Sequence, residues 1–143
     1  MNLKKIALAF TFGLVALLSG CASVNRQAVQ VFPPAQTDKG VVYFYRESKF
    51  VGCAISYNVK EGDKVLGPAG NGTYFFVIAE PGSHTYTAST ESTASRTINV
   101  EAGKIYYVEC GVDMGIFAGR PSMKIVTEDE GKSVLPGLTY ATK

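Results

Sequence analysis

The chain has no tryptophan, one histidine (His84) and three cysteines in 143 residues. A single histidine restricts any histidine-dependent triad to His84, which follows a Pro-Gly turn and is expected to be structural. There is no Cys-x-x-Cys or His-x-His spacing. The only closely spaced carboxylates, Glu128, Asp129 and Glu130, read as a solvated turn, so no metal motif is expected. Long apolar runs are also missing. The longest, Ile6 to Leu18, is interrupted by Thr11 and Gly13 and falls short of the ~20 residues a spanning helix needs.

That run has another use. Lys4 and Lys5 precede it as a basic n-region, and small residues follow it, as in a cleaved export signal. Leu18-Ser19-Gly20-Cys21 resembles the bacterial lipobox, in which a leucine, two small residues and a cysteine follow the hydrophobic stretch. The resemblance implies cleavage before Cys21, a thioether-linked diacylglycerol on its sulfur, and a further acyl group, such as palmitate, on its freed amine. One acyl chain holds a protein weakly and two or more hold it stably, at about 0.8 kcal/mol per buried methylene. Ala22 stands where an aspartate would favour inner-membrane retention, so the resemblance also implies an outer-membrane lipoprotein facing the periplasm. The alternative is an ordinary secretory signal with an incidental Cys21.

Charge excludes another class. The chain carries 14 Lys and Arg against 12 Asp and Glu, and losing Lys4 and Lys5 with the leader leaves the two signs balanced. Nucleic-acid binding requires a basic footprint to neutralise phosphates, and none is expected here.

The expected organisation is a signal peptide over residues 1–20, a lipidated N-terminus and linker over 21–39, a β domain over 40–128 and a tail over 129–143. The linker, with Pro33, Pro34 and three glutamines, reads as a tether able to hold the domain off a membrane. Val29, Val31 and Phe32 are the residues able to pin it down.

Beyond Lys39, β-branched and aromatic residues alternate between glycine-containing turns, the pattern of short antiparallel strands. Strands are expected at 41–46, 52–60, 64–66, 73–79, 84–90, 97–100, 104–112 and 122–128. Gly67-Pro68 is expected to end the third, and Asn71-Gly72 to form a type I′ hairpin turn. About eight strands of this kind imply an all-β antiparallel sandwich, because one half-exposed sheet would leave an apolar face in water.

A second resemblance covers roughly residues 40–131. Gly40-Val-Val-Tyr-Phe-Tyr-Arg46, Asn71-Gly72-Thr73-Tyr74, Pro81-Gly82-Ser83-His84, Ala102-Gly103-Lys104-Ile105-Tyr106-Tyr107 and Gly119-Arg120-Pro121 resemble bacterial lipoproteins that share a domain of unknown function. It strengthens location and fold and transfers no catalytic residue.

Cys53 and Cys110 fall on expected inward faces, and an oxidising compartment favours a disulfide between them; the alternative is two buried thiols. Met114 to Pro121 places Ile116 and Phe117 between glycines, next to Arg120. Exposed, this loop is a partner patch; folded inward, it plugs the end of the sandwich, which is the favoured expectation. The tyrosines suggest sugar stacking if they share an exposed face, and core packing otherwise. The leading expectation is a non-enzymatic, membrane-anchored envelope module for protein interaction or envelope organisation, without cofactor or metal. The alternative is a glycan- or peptidoglycan-binding or enzyme-inhibitor module.

Overall fold

The computed structural model describes residues 24–143, so the expected leader, the lipobox-like Leu18-Ser19-Gly20 and Cys21 lie outside the described residues. The fold follows from a strand that is apolar on both faces. In β2 (Gly40–Arg46) every residue is buried, so both sides need cover. Val42 and Phe44 point into a core shared with Val59, Phe75, Tyr86 and Val108. Val41, Tyr43 and Tyr45 point the other way, onto Tyr74, Tyr107, Leu135 and Leu138.

The strands that supply this cover are β1 (Asn25–Arg26), β3 (Tyr57–Glu61), β4 (Lys64–Ala69), β5 (Thr73–Ala79), β6 (Gly82–Ser89), β7 (Thr93–Val100), β8 (Ile105–Asp113), β9 (Arg120–Val126) and β10 (Thr139–Thr142). They form a six-stranded sheet, ordered β1-β10-β5-β2-β8-β9, packed on a four-stranded sheet, ordered β4-β3-β6-β7. The architecture is the expected all-β sandwich. Each of the eight expected strands corresponds to one of β2 to β9, and the short β1 and β10 are additional. Pairing is mostly antiparallel, except that β2 with β8 and β10 with β5 run parallel.

The 129–143 tail is part of the domain. Helix α1 (Glu128–Val134) and a 3-10 turn (Leu135–Gly137) lead into β10. The acidic triplet 128–130 is the first turn of α1, where its charge favours the helix N-terminus. Thr127 caps it by accepting a hydrogen bond from Glu130 N. Gly131 lies directly on the Tyr107 ring, where a side chain would collide.

The 25–39 linker is not a slack tether. Arg26 pairs with Ala141 through β1, and Gln30 Nε2 donates to the carbonyls of Pro136 and Leu138. Tyr74 Oη accepts from Val31 N at 2.9 Å and donates to Val31 O at 3.0 Å. Phe32 stacks on the Tyr74 ring, and Gly103 N donates to Lys39 O. Phe32 is thus a fixing residue, whereas Val29 remains mostly exposed.

Three local expectations change. The second strand begins at Tyr57 rather than Gly52, because the chain turns at Gly52 (φ 79°). Pro68 does not end the third strand, since β4 is an edge strand with one neighbour and needs no N–H on its open side. Asn71-Gly72 is not a type I′ hairpin: only Gly72 has positive φ, and the turn links β4 and β5, which belong to different sheets.

Tyr86 is fully buried between the sheets against Phe44, and its hydroxyl has no hydrogen-bond partner among the described residues. A buried, unpaired hydroxyl costs about 1–3 kcal/mol of desolvation. Tyr86→Phe is therefore expected to leave the midpoint of denaturant unfolding unchanged or raise it; a loss of about 1 kcal/mol or more would mean that the hydroxyl is bonded.

Candidate functional site

The two sheets end together in three loops: residues 47–56 after β2, 90–92 between β6 and β7, and 114–119 between β8 and β9. Two side chains organise them. Arg46 is 3% exposed, and its guanidinium donates to Gly52 O and Ile55 O, both at 2.6 Å, and to Ala69 O at 3.4 Å. Burial pulls its pKa down, partly offset by neighbouring Tyr57, Cys110 and Cys53. Arginine still keeps its proton, so the cation needs oxygens, and the loop carbonyls supply them. Gathering those carbonyls folds residues 50–55 back over the end of the strand.

Glu91 organises the second loop. One carboxylate oxygen accepts from Ile116 N at 2.9 Å and Arg120 Nε at 3.1 Å, and the other from Phe117 N at 3.0 Å and Ala118 N at 3.2 Å. The Phe117 amide does most to hold the Glu91 carboxyl below its ordinary pKa; burial opposes it, and the Ile116 and Ala118 amides and Arg120 add to the lowering. Thr90 Oγ1 donates to Gly119 O at 2.6 Å. Gly115 is needed because a Cβ there would collide with the Glu91 carboxylate and the Ala118 carbonyl.

Both loops turn their apolar side chains outward. Phe117 is 95% exposed, Phe50 94%, Met114 78% and Ile116 77%. Together with Val51 they border an open apolar hollow of about 500 Å³. The favoured plug is therefore corrected: Ile116 and Phe117 face solvent, because Glu91 holds the backbone that would have to turn to bury them. Arg120 belongs to the loop's support, through Glu91. Sequence reasoning missed Phe50, Val51, Arg46 and Glu91. The one available signal was Glu91 itself, a lone carboxylate in a hydroxyl-rich run between Ser89 and Ser95.

The remaining candidates are dispersed. Cys110 is buried, with its thiol pushed up to about 12 by desolvation despite nearby Arg46 and Tyr57. Cys53 is half-buried in the turn after Phe50 rather than on a strand face. The expected disulfide is not formed, and both are free thiols. Tyr43, Tyr45, Tyr57, Tyr74, Tyr86 and Tyr107 are all interior, so they make no stacking face for sugars. His84 lies away from the tip and commits both ring nitrogens, Nδ1 to Glu61 Oε1 at 2.7 Å and Nε2 to Glu80 O at 2.8 Å. No group of three or more His, Cys, Asp or Glu side chains suited to a metal occurs among the described residues. No helix among them is long and apolar enough to cross a membrane.

Residues 36–121 match the family described as "Protein of unknown function (DUF2846)". The chain belongs to that family. A Haemophilus influenzae relative, described as "Uncharacterized protein", is 30% identical over 143 aligned positions, which cover 94% of this chain and 84% of the relative. No solved structure matches. The part matched to DUF2846 contains Arg46, Glu91 and both apolar loops, while the 25–35 strap and the C-terminal cover lie outside it.

Two outcomes follow. Glu91→Ala is expected to speed amide hydrogen exchange at Ile116, Phe117 and Ala118 while leaving β2 and β5 protected. Because the folded Glu91 carboxyl titrates below the ordinary value of 4.5, the wild-type protection should be present above that value and fade as pH falls through the folded pKa. For His84, burial lowers the pKa, but the Glu80 carbonyl and the Glu61 carboxylate outweigh it and the net shift is upward from 6.5. Its stabilisation is then complete below the unfolded value and lost as pH rises through the folded one. Between about pH 6 and pH 8, wild-type Tm should fall more than that of His84→Gln; parallel Tm curves would show that the imidazole is uncoupled from folding.

Proposed function

We propose that this protein is a non-enzymatic lipoprotein of the bacterial envelope, anchored through acyl chains on Cys21 in the outer membrane facing the periplasm, whose binding surface is the apolar tip formed by residues 50–51 and 114–117. The observation that carries this is the pair of latches at Arg46 and Glu91. Both use strong charge-assisted hydrogen bonds to hold apolar side chains in water, an arrangement that favours binding and contributes nothing to its own core. The leader supports the anchor: a basic n-region, an apolar stretch and Leu18-Ser19-Gly20-Cys21 in order. The interior position of the tyrosines weighs against the glycan-binding alternative.

Intact-mass measurement of the natively expressed protein tests the anchor. The expected mature chain begins at Cys21 and carries a diacylglycerol thioether with an additional amide-linked acyl group, and Cys21→Ser accumulates with its leader uncleaved. A chain that starts at Met1, or a bare thiol at position 21, would refute the proposal.

A further inference from the structure

The tip and the point where the chain joins the domain lie at the same end of the sandwich. Parallel neighbours β2 and β8 deliver the 47–56 and 114–119 loops to one end. Antiparallel β5 starts there, with Thr73 opposite Arg46. Val24 packs against Gly70 at that end. Arg26 donates to Asn71 O at 2.8 Å, and Asn71 Oδ1 accepts from Lys49 N, the residue before Phe50, at 2.9 Å. With residues 25–39 fixed along the sheet, the connection from Cys21 to the domain is three residue steps, at most about 11 Å when extended.

Part of the tip backbone is also bound within the protein. The amides of Ile116, Phe117 and Ala118 are bound by Glu91, the Gly119 carbonyl by Thr90, and the Gly52 and Ile55 carbonyls by Arg46. Cys53 N and Ile55 N donate back to Phe50 O and Gly52 O. A protein partner is normally met with directional donors and acceptors as well as apolar contact. Hydrocarbon instead demands that backbone groups be satisfied internally. The tip meets the second condition at these groups, among them the amides of Ile116 and Phe117 and the carbonyl of Phe50.

We infer that the occupant of this tip is a lipid bilayer interface, the same leaflet that takes up the acyl chains of Cys21. Phe50, Met114, Ile116 and Phe117 enter the boundary between headgroups and acyl chains, making a second, non-covalent contact that sets the orientation of the domain on the membrane. This rests on the proposal that Cys21 is lipidated. Nearby charges are mixed, with Lys49 and Arg120 against Glu47, Glu91 and Asp113, so the contact is driven by apolar burial and does not require anionic lipid.

The absence of natural tryptophan permits a clean test on the full, acylated protein reconstituted into phosphatidylcholine vesicles. Phe117→Trp and Phe50→Trp place reporters at the tip, and Ile78→Trp places one towards the opposite end of β5. The expected result is blue-shifted emission from both tip reporters, with most of their intensity lost when the lipids carry bromine near the headgroup, and no change at position 78. Vesicle-bound protein with water-like emission at the tip would overturn the lipid contact while leaving the anchor intact. A blue shift that bromine does not quench would also overturn it, in favour of a protein contact such as a second copy. Failure to stay with the vesicles, together with an unacylated Cys21 by mass, would overturn the anchor and this inference with it.

Discussion

A strand with no solvent side sets the terms for the whole domain. From Gly40 to Arg46, β2 offers apolar side chains to both faces and reaches water through neither. The four-stranded sheet covers one face. The other is covered by segments from the two ends of the described chain: the 25–39 strap, α1, and the turn that leads to β10. Tyr43, Tyr74 and Tyr107 form the centre of that second cover, with Phe32 stacked on Tyr74 and Tyr140 tilted against it. Since the strap is half of a hydrophobic layer, releasing it would expose that cluster, and this is why it lies flat where its composition suggests slack.

The same strand ends in a buried cation, and the tip begins there. A guanidinium cannot discard its charge to enter an interior, so it must bring oxygens with it. Arg46 obtains them from the loop that follows it, which forces residues 50–55 into a compact fold and leaves Phe50 and Val51 outside. On the neighbouring loop, Glu91 does the equivalent with an anion and three amides. Opposite charges thus achieve the same result from two sheets. Apolar side chains are displayed on backbone that has little freedom to retract them, which lowers the ordering cost of binding.

Alternation made most of the sandwich legible. Val41, Tyr43 and Tyr45 against Val42, Phe44 and Arg46 is the actual division of β2, and the both-faced apolar content of Thr73 to Ala79 matches its place inside the sheet. Failures occurred where a distant partner decides the local backbone. Gly52 to Ser56 alternates as well as a strand does, but Arg46 claims two of its carbonyls. Pro68 stops a strand only when both sides need hydrogen bonds. Glu128-Asp129-Glu130 looks solvated until Thr127 is seen to cap it and Gly131 to rest on Tyr107. At the site, Ile116 and Phe117 were visible as bulky residues among glycines. Their outward orientation depends on Glu91, about 25 positions earlier, a contact that no short-range pattern contains.

The position of β10 has a consequence for how the molecule comes into being. The last of the described strands is not at the margin of the six-stranded sheet: it lies between β1, the first of them, and β5. The sheet is therefore incomplete until residues 139–142 arrive, and its final closure joins segments more than 110 positions apart, Asn25 with Thr142 and Arg26 with Ala141. Such pairing requires a long loop to be closed before any contact rewards it. A chain emerging from its N-terminus can form hairpins, such as β6 with β7, on the way. It cannot finish this domain early, and so it remains threadable until residues 139–142 have emerged.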